Sequence, residues 1–252
     1  MNSSFDKKLF ITKIYKKFNR QKSLFRTLMY HSIYNEKIEN EINDMWKLSL
    51  SLFKKQINSI KENKNKKIYK TEILLSECPN HGISITFDDG YLDTYEMAAP
   101  FLIENNVPFT IFVITNFIKN KKKGYMEESM LKELSKNSLV SIGSHSMNHY
   151  KLTEINNSLI LDELKFSKLY LEDLLGKEIS IFSYPHGKIN KKVKEKVCES
   201  GYKLAFSSKF NGNNNNQDKL ELCRSEIWNT DQIEVFNEKI DGDWDWLKYR
   251  NL

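Results

Sequence analysis

Two aspartates stand side by side, Asp88 and Asp89, in the stretch ITFDDG, and two histidines stand four residues apart, His145 and His149, in HSMNH. Adjacent carboxylates repel each other, and a nearby dication relieves that cost by favouring their charged forms. Histidines at i and i+4 on a helical turn present both rings to one face, where they can share a metal ion. Two histidines and one carboxylate around an open coordination position make a catalytic zinc arrangement. Only one aspartate is then needed as a ligand. The other can take a proton from a water whose pKa the cation lowers toward ~7. Consecutive side chains diverge in a strand, so the two carboxylates can address metal and water separately. Each motif also has an ordinary explanation. Asp-Asp-Gly is a common polar turn, and an isolated HxxxH pair is weak evidence for a metal.

Placement is what lifts them above the ordinary. Strands are expected at 24–33, 82–87, 107–115, 139–144, 179–185, 202–208 and 220–228. Helices are expected at 42–62, where Trp46, Leu50, Phe53, Ile57 and Ile60 form one stripe, at 127–136, through Leu161–Leu175, and at 189–199. Asp93 with Glu96 reads as a helix N-cap and capping box, and Pro100 as a kink or a helix start. Alternating strands and helices predict a single α/β domain with a parallel sheet, open or closed into a barrel, after a basic segment 1–23. Such sheets bind ligands beyond the carboxyl ends of their strands. His31 follows the first strand, Asp88 and Asp89 the second, His145 and His149 the strand 139–144, and Tyr184, Pro185 and His186 the strand ISIFS. Four of the five histidines thus share one rim. His81 precedes a strand, at the opposite end, and no role is expected for it.

Composition narrows the rest. The chain has 252 residues, 40% hydrophobic and 29% charged, with a formal net charge of +6, as expected of a globular protein with a sizeable core. The basic excess lies in FDKKLFITKIYKKFNRQK, which either approaches anionic lipid head groups or acidic glycans or is a solvated helix. No apolar run approaches the ~18 residues of a membrane span, and the N-terminus lacks the ~7–15-residue apolar core of a secretory signal. A cytoplasmic location is expected, with peripheral contact at the inner membrane face open to the basic segment. Cys78, Cys198 and Cys223 form no CxxC pair, so neither a disulfide framework nor a zinc knuckle is expected. Cys198 reads as a small core residue. No nucleic-acid-binding motif is present. Tyr91, Trp228, Trp244 and Trp246 are candidate platforms for sugar rings.

TFDDG (86–90), HSMNH (145–149) and FSYPHG (182–187), in this order, resemble the polysaccharide deacetylases with a NodB homology domain, carbohydrate esterase family 4, over about residues 24–227. The resemblance implies a distorted (β/α) barrel with its site at the strand C-termini. It implies Asp88 as general base, and Asp89, His145 and His149 as ligands of a divalent metal, zinc foremost, with cobalt, nickel or iron also suited. The turn Tyr184–Pro185–His186 would supply oxyanion and substrate contacts, chiefly the His186 amide. The sequence departs from the family pattern twice. Ser183 stands near the place of an arginine that orients the base, which leaves Arg224 as the substitute. No histidine follows His186 to act as the late general acid. LMYHSI, however, resembles the start of circularly permuted members, including the poly-N-acetylglucosamine deacetylases, which makes His31 the acid and His186 its alternative. The implied reaction is metal-dependent removal of acetyl groups from N-acetylated sugars of a polysaccharide or glycan precursor. Two other readings are deacetylation or deformylation of a lipid-linked or nucleotide sugar in cell-envelope glycan synthesis, and a non-catalytic glycan-binding module on the same fold.

Overall fold

Short runs rich in Ile, Val, Phe and Thr become strands because β-branched and aromatic side chains fit a pleated surface buried on both faces. The computed structural model describes residues 3–18, 24–36 and 44–249. Its strands are β1 (Arg26–Tyr30), β2 (Ser32–Tyr34), β3 (Lys47–Ser49), β4 (Lys67–Ile68), β5 (Gly82–Phe87), β6 (Phe109–Val113), β7 (Val140–Ser144), β8 (Ile181–Ser183), β9 (Leu204–Phe206) and β10 (Ser225–Glu226). Eight of them form one sheet in the order β10-β1-β5-β6-β7-β8-β9, with β4 beside the start of β5, and every pairing is parallel. Beyond β9 the chain turns back along it. Leu222 N donates to Ala205 O at 2.9 Å, Ser207 N to Leu222 O at 2.8 Å and Arg224 N to Lys209 O at 3.1 Å. That segment leads into β10, which pairs with β1 through Leu28 and Ser225. The sheet thus curls into the expected distorted (β/α) barrel.

Helices α1 (Ser3–Phe18), α2 (Leu50–Glu62), α3 (Ala99–Glu104), α4 (Thr115–Lys119), α5 (Glu128–Ser135), α6 (Asn157–Leu175), α7 (Lys191–Glu199) and α8 (Ile233–Ile240) surround it. Strand alternation divides the core in two. Ile111 and Val113 of β6 join Leu102, Leu131 and Leu164 between sheet and helices. Phe112 turns into the barrel with Ile181, Leu204 and Phe206. Gly143 is required there, because a Cβ would lie 2.6 Å from the Phe112 ring.

Several local expectations change. The helix expected at 42–62 begins at Leu50, where the Ser49 hydroxyl caps Leu52 N at 3.3 Å; Trp46 precedes it on the way into β3. Asp93 caps no helix. Its carboxylate accepts from Ser32 Oγ at 2.5 Å and Ile33 N at 3.0 Å, tying the loop after β5 to β2. Pro100 starts α3. Cys198 is exposed, because it falls outside the Val193–Val197 stripe that α7 buries. Trp228 and Trp244 are buried with Phe210, Val235 and Leu247 in a separate cluster that Trp246 also joins. They are packing residues and not sugar platforms. Among the described residues no helix is long and apolar enough to cross a membrane.

Candidate active site

β5 delivers Asp88 and Asp89 to the rim, and Asp88 N donates to Tyr30 O at 3.0 Å, which sets them beside the end of β1. Asp88 is gripped by Arg224 in a fork, Nη1 to Oδ1 at 2.6 Å and Nη2 to Oδ2 at 2.7 Å. The guanidinium is itself aimed by the Ser207 carbonyl at 3.0 Å from Nε and by Ser183 Oγ at 2.8 Å from Nη2. Ser183 also donates to Asp88 Oδ2 at 3.2 Å. Burial, the largest single influence, would raise the Asp88 pKa, but the charge and hydrogen bonds of Arg224 together with His145 and His31 more than reverse it and hold the carboxyl well below the usual range.

Asp89 has a left-handed backbone, at φ 73°, a conformation that costs a non-glycine residue free energy. Its Oδ1 is buried without a hydrogen-bond partner. That oxygen lies 3.4 Å from His145 Nε2 and 3.6 Å from His149 Nε2, and the two Nε2 atoms are 3.2 Å apart. Bonds of ~2.0–2.1 Å to a tetrahedral zinc require ligand atoms roughly 3.3 Å from one another, so the three donors have the spacing of one face of such a site. His145 Nδ1 sits 2.8 Å from the Ser183 carbonyl, which can only accept. Nδ1 therefore carries the proton and Nε2 presents its lone pair. Burial lowers the pKa of His145 to about 4; burial, with His186 next, does the same for His149. Both rings are neutral at pH 7, as metal ligands must be. An orphaned carboxylate oxygen facing two neutral imidazoles fits a divalent cation.

The two histidines are not on a helical turn. They flank a tight loop in which Ser146 and His149 are left-handed, at φ 64° and 63°. Ser146 Oγ accepts from His149 N at 3.1 Å. The loop is fixed from below by Glu163 of α6, which accepts from Met147 N at 3.0 Å, Asn148 N at 2.8 Å and Asn148 Nδ2 at 2.5 Å. Sequence reasoning missed Glu163. Its one signal was an acidic residue inside the stripe Ile160, Leu164, Ser167 and Leu171 that α6 buries.

A cleft of about 340 Å³ opens over these groups, its wall completed by His31, Trp46, Tyr91, His186, Ser208 and Glu226. His31 packs on Trp46 with ring centroids 4.6 Å apart, and its Nδ1 is buried without a hydrogen-bond partner. Tyr91 stacks on Tyr125 at 5.0 Å. Trp46, Tyr125 and Glu226 were not foreseen as site residues. His186 stands in a left-handed turn at φ 57°, and its Nε2 donates to the His149 carbonyl at 3.2 Å. Tyr184 does not reach the cleft. Ser183 points to Asp88, so its strand neighbour points away; the Tyr184 ring is buried and its hydroxyl donates to Leu220 O at 2.8 Å. Pro185 is buried as well. The Tyr184 amide is taken by Phe206 O and the Gly187 amide by Tyr184 O, and proline has none. Within this turn the His186 amide is the one left without a backbone acceptor.

The polysaccharide deacetylase family model matches residues 76–205, just over half of the chain, and the chain belongs to that family. It is 28% identical over 145 residues to YxkH of Bacillus subtilis, provisionally named a polysaccharide deacetylase, covering 58% of this chain and 51% of that protein. The chain therefore spans about half the length of that relative. It is 25% identical over 203 residues to the poly-β-1,6-N-acetyl-D-glucosamine N-deacetylase of Staphylococcus aureus, covering 75% of this chain and 68% of that one. Among solved structures, the deacetylase PplD of Streptococcus pyogenes in complex with acetate superposes with a TM-score of 0.77 at 23% identity, over 86% of this chain and 98% of its own. That likeness shows the shared fold. The family segment 76–205 contains Asp88, Asp89, His145 and His149 but neither His31 nor Arg224.

Proposed function

We propose that the protein hydrolyses the acetamido group of N-acetylhexosamine units in a polysaccharide, releasing acetate and leaving a free amine. Asp89, His145 and His149 would hold the divalent cation, zinc. One observation carries this reading: the orphaned Asp89 Oδ1 faces two imidazole nitrogens at 3.4 and 3.6 Å, beside a second carboxylate that an arginine fork keeps ionised. A binding site has no use for that second carboxylate; a hydrolase does.

Bound there, the cation would polarise the acetyl oxygen and acidify the attacking water, which a carboxylate of basicity as low as Asp88's requires. Asp88 takes the proton of that water, held in line by Arg224 and Ser183. The His186 amide donates to the oxyanion as the carbonyl becomes tetrahedral. His31, just past the end of β1 beside the strand that carries Asp88, gives a proton to the nitrogen as the amine leaves. Tyr91 and Trp46 offer faces for the sugar ring. The Staphylococcus aureus relative is named for poly-β-1,6-N-acetyl-D-glucosamine, and β-1,6-linked N-acetylglucosamine oligomers are the first substrate to test.

The test is acetate release by the zinc-loaded protein and its Asp88→Asn variant. The expected result is release by the wild type and none by the variant, with equal zinc content. Release by both removes the base assignment, and release by neither, with zinc bound, leaves a glycan-binding module.

A further inference from the structure

The inner face of α1 is fixed by contacts. Thr12 is 1% exposed and its hydroxyl accepts from Trp246 Nε1 at 2.8 Å. The Phe5 ring packs 6.3 Å from that of Trp244. Lys8 lies 4.3 Å from the Trp228 ring, and Lys16 pairs with Asp243 at 3.1 Å. With residue 12 turned inward, the helical repeat carries Phe10, Ile14 and Phe18 to the outer face, with Ile11 at its edge and Lys7, Lys13 and Lys17 among and beside them.

That outer face is apolar. Phe10 is 65% exposed, Ile11 41%, Ile14 45% and Phe18 79%. They are four of the nine exposed large hydrophobics among the described residues, gathered on one 16-residue helix. A concentration of this kind marks an interaction surface. Its charge selects the partner. The cores of protein interfaces are depleted of lysine, whereas at a bilayer surface lysine stems lie along the apolar layer and raise their ammonium groups to the head groups. Here three lysines share the face with the aromatic rings, and Asp6 is the only acidic residue of the helix. We propose that the outer face of α1 docks on an anionic membrane surface, the helix lying in the plane of the head groups with Phe10, Ile14 and Phe18 inserted. One such face gives reversible attachment and not anchoring.

The test is co-sedimentation of the full chain with phosphatidylcholine vesicles made with and without phosphatidylglycerol. Binding is expected to the anionic vesicles only, and to fall with added salt as the Debye length shrinks. Phe10→Ser with Phe18→Ser weakens it about tenfold or more, as does Lys7→Gln with Lys13→Gln and Lys17→Gln. Thermal midpoints stay unchanged, since these side chains point outward, so lost binding is not lost folding. Equal binding to neutral and anionic vesicles, or undiminished binding by the Phe10→Ser, Phe18→Ser variant, overturns the proposal. So does sedimentation equilibrium showing a dimer that those two substitutions dissociate, because a second copy of the chain would then cover this face.

Discussion

Among the described residues two arginine–carboxylate forks are buried, and their contacts are nearly the same. Arg224 holds Asp88 at 2.6 and 2.7 Å; Arg26 holds Asp245 at 2.6 and 2.8 Å. Each arginine is 1% exposed. Their surroundings differ. Arg26 opens β1 at the far end from the rim and is sealed by Gly242, where a Cβ would come 2.1 Å from its Nη2. Asp88 also meets Ser183, stands 3.8 Å from His145 Nε2 and borders the cleft. Burial pushes both carboxyl pKa values up. At Asp88 the charge of Arg224, joined by His145 and His31, more than reverses that; at Asp245 the charge of Arg26 does not. A fork is therefore a way of keeping a buried carboxylate in place, and what else reaches the carboxylate decides whether it can do chemistry.

The comparison can be broken most directly at the two aspartates. Asp88→Asn should lower acetate release by roughly 10³-fold or more with zinc content unchanged, whereas Asp245→Asn should leave turnover within about twofold. Equal losses in the two variants would mean that both forks serve only the fold. Asp245→Ala, which strands the Arg26 charge, should cost about 3–5 kcal/mol in urea unfolding; a cost under about 1 kcal/mol would make that fork dispensable. Glu163→Gln touches no proposed ligand, yet by loosening the loop it should weaken zinc about 10- to 100-fold in calorimetry. The smallest effect is on pH. His145 and His149 sit at about 4 when folded, against an ordinary value of ~6.5. Between these limits the unfolded chain binds protons that the folded, metal-stripped protein does not, so its stability falls as pH drops from ~6.5 toward 4. His145→Gln should flatten that slope. Asp88 adds nothing to it, because its low folded value keeps its contribution intact down to ~3.9.

The sequence carried the parts of this site that depend on position along a strand. Asp88, Asp89, His31 and His145 each end or follow a strand, so period and alternation alone put them on one rim. Arg224 came from asking what replaces an absent arginine, a question the family resemblance raised. What stayed hidden depends on contacts between distant segments. Glu163 lies 15 residues from Asn148 in the chain, Trp46 reaches His31 across a connection, and neither spacing follows a helical or strand period. Trp228 and Trp244 misled for a related reason: an indole ring that packs a core and one that binds a sugar look alike in a sequence. The HSMNH loop misled because four-residue spacing fits a helix, while Ser146 and His149 take left-handed backbone that no local pattern announces.

β1 and β10 are neighbours in the sheet, although they come from the two ends of the described chain. His31 leaves the first and Arg224 arrives just before the second. Translation therefore delivers the proposed proton donor first, the proposed metal ligands next and the arm that steadies the proposed base after them. A nascent chain that stops at residue 205 would carry the proposed metal ligands without Arg224, and would stay catalytically mute until β10 joins β1.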